Sequence, residues 1–191
     1  MKKILVIVDM LNDFITGPLG NADCQAVVNN IIEIVNNEKY TDIILTRDTH
    51  QENYLDTQEG KNLPVVHCIE GTKGFEIDSD IMSAVESKYK TSEIRNYLNQ
   101  KENMPIIINK PSFGSMELAR LLSENVNVED IIDFVGVCTG ICVISNVLLA
   151  KAAIPETKVR VIENACACVT KESHRTAIEA MKMCQVEIVY N

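Results

Sequence analysis

Residues Ile131 to Val137 form a run that is apolar but for Asp133 and rich in β-branched side chains, and after a short Cys-Thr-Gly turn a second apolar segment extends from Ile141 to Ala150. The first run reads as a strand buried on both faces, and the second as a buried helix. A strand with two buried faces needs packing layers above and below it, so the pair restricts the chain to a parallel sheet covered by helices. Where a strand passes directly into a helix, the first-turn N–H groups lack carbonyl partners and favour negative charge. Cys142 stands at that turn. Its thiol is expected to lose its proton more readily than a free cysteine, and the neighbouring N–H groups can hold the oxyanion of an acyl intermediate. A lone cysteine in an apolar helix is otherwise most often a small buried hydrophobe.

The same alternation runs through the whole chain. Strands are expected at Lys3 to Val8, Asp42 to Thr46, Pro105 to Asn109, Lys158 to Ile162 and Val186 to Val189, and a short one at Pro64 to Val66. Between them lie amphipathic segments. One is capped by Asp23 and carries Val27, Val28, Ile31, Ile34 and Val35 on one stripe. Another spans about Ser79 to Lys88, a third presents Leu118, Leu121 and Leu122, and a last one covers Thr170 to Met183. The polar stretch from Lys90 to Met104 is expected to be partly helical, and Pro155 ends the helix after Cys142. No repeat, low-complexity tract or linker interrupts the pattern, which indicates one doubly wound α/β domain over residues 1–191. In such sheets ligands bind beyond the carboxyl ends of the strands. Asp9, Asp48, Lys110 and Cys142 all fall at or just after such ends.

Composition narrows the partners. A formal charge of −9 opposes any sequence-independent grip on nucleic acid or an anionic membrane, which leaves small molecules. The apolar run after Lys2 and Lys3 meets Asp9 too soon for a secretion signal. The stretch from Phe134 to Ala150 is interrupted by Gly136, Gly140 and Asn146 and is too short for a bilayer span. A cytoplasmic protein is expected. Seven cysteines without a paired zinc-type spacing read as reduced thiols, with Cys166 and Cys168 as packing residues.

Three ionisable groups of different kinds at three strand ends make a chemically complete set. Asp9 can take the cysteine proton and return it to a leaving amine, Cys142 can attack a carbonyl, and Lys110 can stabilise the thiolate and hold both. Taken singly, Asp9 could instead bond the turn after its strand, and Lys110 could be a surface lysine. The loop of about twenty residues after the second strand is too long to be mere connection. It supplies Asp48, His50, Glu59 and His67, two carboxylates and two imidazoles suited to zinc, manganese or iron, the alternative being a solvated polar loop. A metal there could polarise a substrate ring nitrogen or carbonyl.

Four motifs, VDMLNDF at 8–14, RDTH at 47–50, NKPSFGS at 109–115 and GVCTGICV at 136–143, together resemble the isochorismatase-like cysteine hydrolases, and within them the nicotinamidases. The resemblance implies a six-stranded, mainly parallel sheet of order 3-2-1-4-5-6 with helices on both faces. It implies an Asp9–Lys110–Cys142 triad, an oxyanion hole from the backbone N–H groups of Cys138 and Cys142, and a cis peptide between Val137 and Cys138. Nicotinamidases often ligate a divalent metal through an aspartate and three histidines, and here Glu59 stands where the third ligand is a histidine. Phe14 and Phe113 fall where family members line an aromatic pocket, the alternative being ordinary core aromatics. Asp13 and His174 are given no role, the first as a residue holding the loop after strand one, the second as a helix-surface residue.

The activity expected is release of ammonia from a small amide, nicotinamide foremost, by a homo-oligomer. The same triad acting on another amide or ureido compound, a non-catalytic metabolite-binding member, and a redox protein using Cys138 and Cys142 are the alternatives.

Overall fold

The computed structural model describes residues 1–91, 93–99 and 102–191. Six strands, β1 (Lys3–Val8), β2 (Asp42–Asp48), β3 (Ile106–Lys110), β4 (Ile131–Val137), β5 (Lys158–Ala167) and β6 (Glu187–Val189), form one sheet in the order β3-β2-β1-β4-β5-β6. Every pairing is parallel. Side chains alternate across a strand, so β1 sends Leu5 and Ile7 into one core and Ile4, Val6 and Val8 into the other. The first core is closed by α2 (Ala22–Asn37) and α4 (Ser79–Lys90), and the second by α5 (Met116–Asn125), α6 (Ile144–Ala153) and α7 (Lys171–Met183). Two short helices, α1 (Asn12–Ile15) and α3 (Gln58–Asn62), lie in the loops beyond the carboxyl ends of β1 and β2.

The order reverses between β1 and β4, and this switch point opens a crevice above their carboxyl ends. The backbones come close there: Gly136 has φ of 117°, and a Cβ on it would stand 2.1 Å from the Val8 carbonyl oxygen. Only glycine fits.

Several local expectations are corrected. The cap of α2 is Asn21, whose side chain accepts the Cys24 N–H, while Asp23 sits in the first turn. The described residues of the 90–104 stretch hold only the end of α4 at Lys90, the rest being turns and extended chain, with Leu98 N–H bonded to Asp42; Ser92, Gln100 and Lys101 lie outside the described residues. No strand forms at Pro64 to Val66; the ladder contacts in that loop are isolated bridges, His50 to Ile69 and Leu11 to Ile77. Among the described residues no helix is long and apolar enough to cross a membrane.

Candidate active site

Asp9 follows the last residue of β1 and holds a left-handed backbone, φ 49°. It is fully buried. Its Oδ1 accepts the Thr46 hydroxyl at 2.7 Å, and its Oδ2 stands 2.5 Å from Lys110 Nζ. Lys110, the last residue of β3, is buried as well, and its ammonium also reaches the Ser112 carbonyl at 3.0 Å, Asp48 at 3.4 Å and Cys142 Sγ at 3.7 Å. A lysine buried this deeply requires such a set of acceptors, because an unpaired buried ammonium is too costly. The structure thus brings Asp9, Lys110 and Cys142 together.

Cys142 lies not at the first residue of a regular helix but in a π-helical turn, Thr139–Val143, that leads into α6. The Cys138 carbonyl accepts the Ile141 and Val143 N–H groups, and the peptide between Val137 and Cys138 is cis.

The electrostatics overturn the expectation of a readily ionised Cys142. Burial and the facing Asp9 carboxylate push its thiol well above the ordinary 9.0, against the pull of Lys110. Burial likewise raises Asp9 above its ordinary 3.8, although Lys110 opposes the shift. For Lys110 burial disfavours charge, but Asp9, Cys142 and Asp48 more than offset it and hold the ammonium protonated. The helix-start effect read from the sequence loses to desolvation. The Lys110 ammonium thus stands against both Asp9 and Cys142, and burial favours the thiol form of Cys142.

Beside this set, one ligand atom from each of Asp48, His50, Glu59 and His67 lies within 4.8 Å of the others. His50 Nε2 is 3.1 Å from Asp48 and 3.5 Å from Glu59, and His67 Nε2 is 3.6 Å and 3.9 Å from the same two carboxylates. A tetrahedral ion with bonds of about 2.0–2.1 Å has ligand edges of about 3.3–3.5 Å, so the residues fit a zinc-sized cation with little movement. The Val65 carbonyl accepts from His67 Nδ1 at 2.7 Å, which leaves Nε2 with a lone pair for a metal. Burial and repulsion from Asp48 raise the Glu59 carboxyl, a strain that a cation would relieve. Glu59 is carried by α3 rather than by an irregular loop, with Thr57 capping the helix through the Gly60 N–H.

Phe14 and Phe113 both face a cavity of about 380 Å³ that also touches Leu63, Ile141, Cys138 and Cys142. Phe14 is a buried wall, whereas Phe113 is 41% exposed at the mouth. The volume lies in the lower part of the range of about 300–1,000 Å³ for small-molecule pockets.

Several contributors escaped the sequence reading. Thr46 and Tyr54 gave no signal; the first bonds Asp9, and the second packs its ring 4.6 Å and 4.9 Å from those of His50 and His67. Asn146 did give one, a polar residue inside an apolar helix. Its side chain donates to the Cys142 and Phe113 carbonyls and accepts the Ser115 N–H, tying the Cys142 turn to the loop after Lys110. Asp13 reaches further than its own loop, accepting the N–H of Cys68 beside His67 at 2.7 Å. His174 is not a plain surface residue: its Nδ1 is 2.9 Å from the hydroxyl of the buried Thr139.

The model of the isochorismatase domain matches residues 3–189. The nicotinamidase of Saccharomyces cerevisiae is 25% identical over 171 residues, covering 74% of this chain and 77% of the relative. The crystal structure of a pyrazinamidase of Pyrococcus horikoshii in complex with zinc superposes with a TM-score of 0.77 at 24% identity, over 100% of both chains. N-carbamoylsarcosine amidase from Thermoplasma acidophilum gives 0.69 at 17% identity, over 100% of this chain and 96% of that one.

Proposed function

The chain belongs to the isochorismatase family, and from that premise we propose that it is a cysteine-dependent amidohydrolase that releases ammonia from a small amide, nicotinamide foremost. The observation that carries the reading is the buried contact set at the switch point: Lys110 Nζ 2.5 Å from Asp9 and 3.7 Å from Cys142 Sγ, beside a cavity that Cys142 lines. The similarity to a nicotinamidase supports the choice of substrate.

Cys142 Sγ attacks the carboxamide carbon as its proton passes to Asp9. The N–H groups of Cys138 and Cys142 hold the oxyanion. Asp9 then delivers its proton to the departing nitrogen, ammonia leaves, and a thioester remains. Asp9, again a carboxylate, takes a proton from water as the water attacks the thioester, and returns it to the leaving Cys142 thiolate. Lys110 remains charged throughout and steadies whichever of its two neighbours is anionic. Asp48, His50, Glu59 and His67 would hold a divalent metal, zinc first among zinc, manganese and iron, which when bound supplies a Lewis acid for a substrate ring nitrogen or carbonyl. Phe14 walls the apolar side of the cavity against a planar ring.

The test is ammonia release from a panel of small amides and ureido compounds, run with added zinc, manganese or iron. Nicotinamide should be turned over, and Cys142→Ala should abolish turnover while retaining the metal. Hydrolysis by Cys142→Ala at the parent rate would overturn the mechanism; activity on a ureido compound but none on nicotinamide would overturn only the substrate.

A further inference from the structure

His174 lies outside the catalytic set and the metal ligands, yet it is bonded to the turn that carries Cys142. Helix α7 buries Ala177, Ile178 and Met181, and His174 stands one turn before the first two on the same face. The start of this helix is fixed by a capping box: the Thr170 side chain accepts the Ser173 N–H, and the Ser173 hydroxyl accepts the Thr170 N–H. From there the half-buried His174 ring brings Nδ1 to 2.9 Å from Thr139 Oγ1. Thr139 is fully buried, and among the described residues His174 is the one partner of its hydroxyl. A buried hydroxyl without a partner is costly, so the turn keeps Thr139 where the imidazole stands. Behind the ring, Glu163 on β5 places Oε1 3.8 Å from Nε2. A carboxylate on that side favours the tautomer protonated at Nε2, so that Thr139 donates and Nδ1 accepts.

Thr139 follows Cys138 directly and opens the turn that ends beyond Cys142. No side chain caps this turn; the Cys138 carbonyl accepts the Ile141 and Val143 N–H groups at 3.0 and 3.1 Å. Asn146 holds its far end through the Cys142 carbonyl. At the near end the other side-chain bond is from the Gly140 N–H to Cys168 Sγ at 3.3 Å, and sulfur is a weak acceptor. The Thr139–His174 bond is therefore the stronger side-chain hold on the end that bears Cys138.

We propose that His174 is a positioning residue for amide hydrolysis, holding the Cys138 end of the turn through Thr139 so that the Cys138 N–H and Cys142 Sγ keep a common aim on the carboxamide. Glu163 sets its tautomer. The role in turnover rests on the amidohydrolase reading; the hold on the turn does not.

Native-state amide exchange of the full chain should be compared in the parent, His174→Ala, His174→Asn, Thr139→Val and the double variant His174→Ala/Thr139→Val. His174→Ala and Thr139→Val should each speed exchange of the Ile141 and Val143 N–H groups by about tenfold, the worth of one buried hydrogen bond. The amides of β1 and of Ala177 and Ile178 should keep their parent rates. His174→Asn, whose side-chain oxygen is as many bonds from the backbone as Nδ1, should restore slow exchange. The double variant should be no faster than either single one. Unchanged exchange in His174→Ala, or effects that add in the double variant, would overturn the hold. Turnover of nicotinamide, or of the best amide of the panel, is read in the same proteins. In His174→Ala and Thr139→Val, kcat should fall about tenfold with KM unmoved, and His174→Asn should recover it. Faster exchange with the parent kcat would overturn the role in turnover and leave the amidohydrolase reading in place. A parent chain that hydrolyses no amide would overturn that reading and the role in turnover together, while the exchange rates would still decide the hold.

Discussion

Asp9 and Cys142 share one proton economy, and their environments state how it should respond to pH. The competent form carries one proton between the carboxylate and the thiol. Burial raises Asp9 above its ordinary 3.8, so acid should remove activity at a higher pH than an unperturbed aspartate would. Burial and Asp9 raise Cys142 above 9.0, so the proton needed by the leaving nitrogen is lost only on the alkaline side. The pH profile of kcat/KM should therefore be a bell, its acid limb above that of an unperturbed aspartate, its limbs belonging to the pair rather than to either residue. Asp9→Asn should flatten what activity survives. A profile that kept falling from pH 9 down to pH 6, as for a freely ionising thiol, would contradict this account.

At the scale of elements, the site depends on how the Cys142 turn is fastened to its surroundings. Asn146 is the fastening on one side, with both ends of its amide bonded to backbone inside the apolar interface between α6 and the loop after β3. Replacing it with alanine removes three bonds and leaves buried backbone groups unpaired, each worth about 1–3 kcal/mol. Asn146→Ala should lose on the order of 2–4 kcal/mol in urea unfolding, with kcat falling more than KM rises. A loss below about 0.5 kcal/mol, the usual range for a surface change, would show that the clamp is not needed.

For the molecule as a whole, the two cores on either face of the sheet fold without reference to the metal ligands, which sit above its carboxyl edge. Metal should therefore add stability by mass action rather than be required for folding. Zinc at a hundredfold over its dissociation constant contributes about 2.7 kcal/mol, or about 5–10 °C in Tm for a chain of this size. His50→Ala should lose the increment and keep the fold. Equal Tm shifts in the two proteins would remove these four residues as the zinc site.

The architecture was legible because it depends on local pattern. Apolar runs such as Ile4–Val8, and Ile131–Val137 broken only by Asp133, specify strands buried on both faces. The strand ends then located Asp9, Asp48, Lys110 and Cys142 and suggested a nucleophile, base and cation, while the sheet order and the cis bond came from the family resemblance. What pattern cannot carry is distance between residues remote in the chain. Thr46 beside Asp9, Asp13 beside Cys68 and His174 beside Thr139 arise only when crossovers bring separate segments together. Protonation followed the same division: a helix start predicts a lowered Cys142, but burial against a carboxylate reverses the sign, and burial is a property of the folded chain alone.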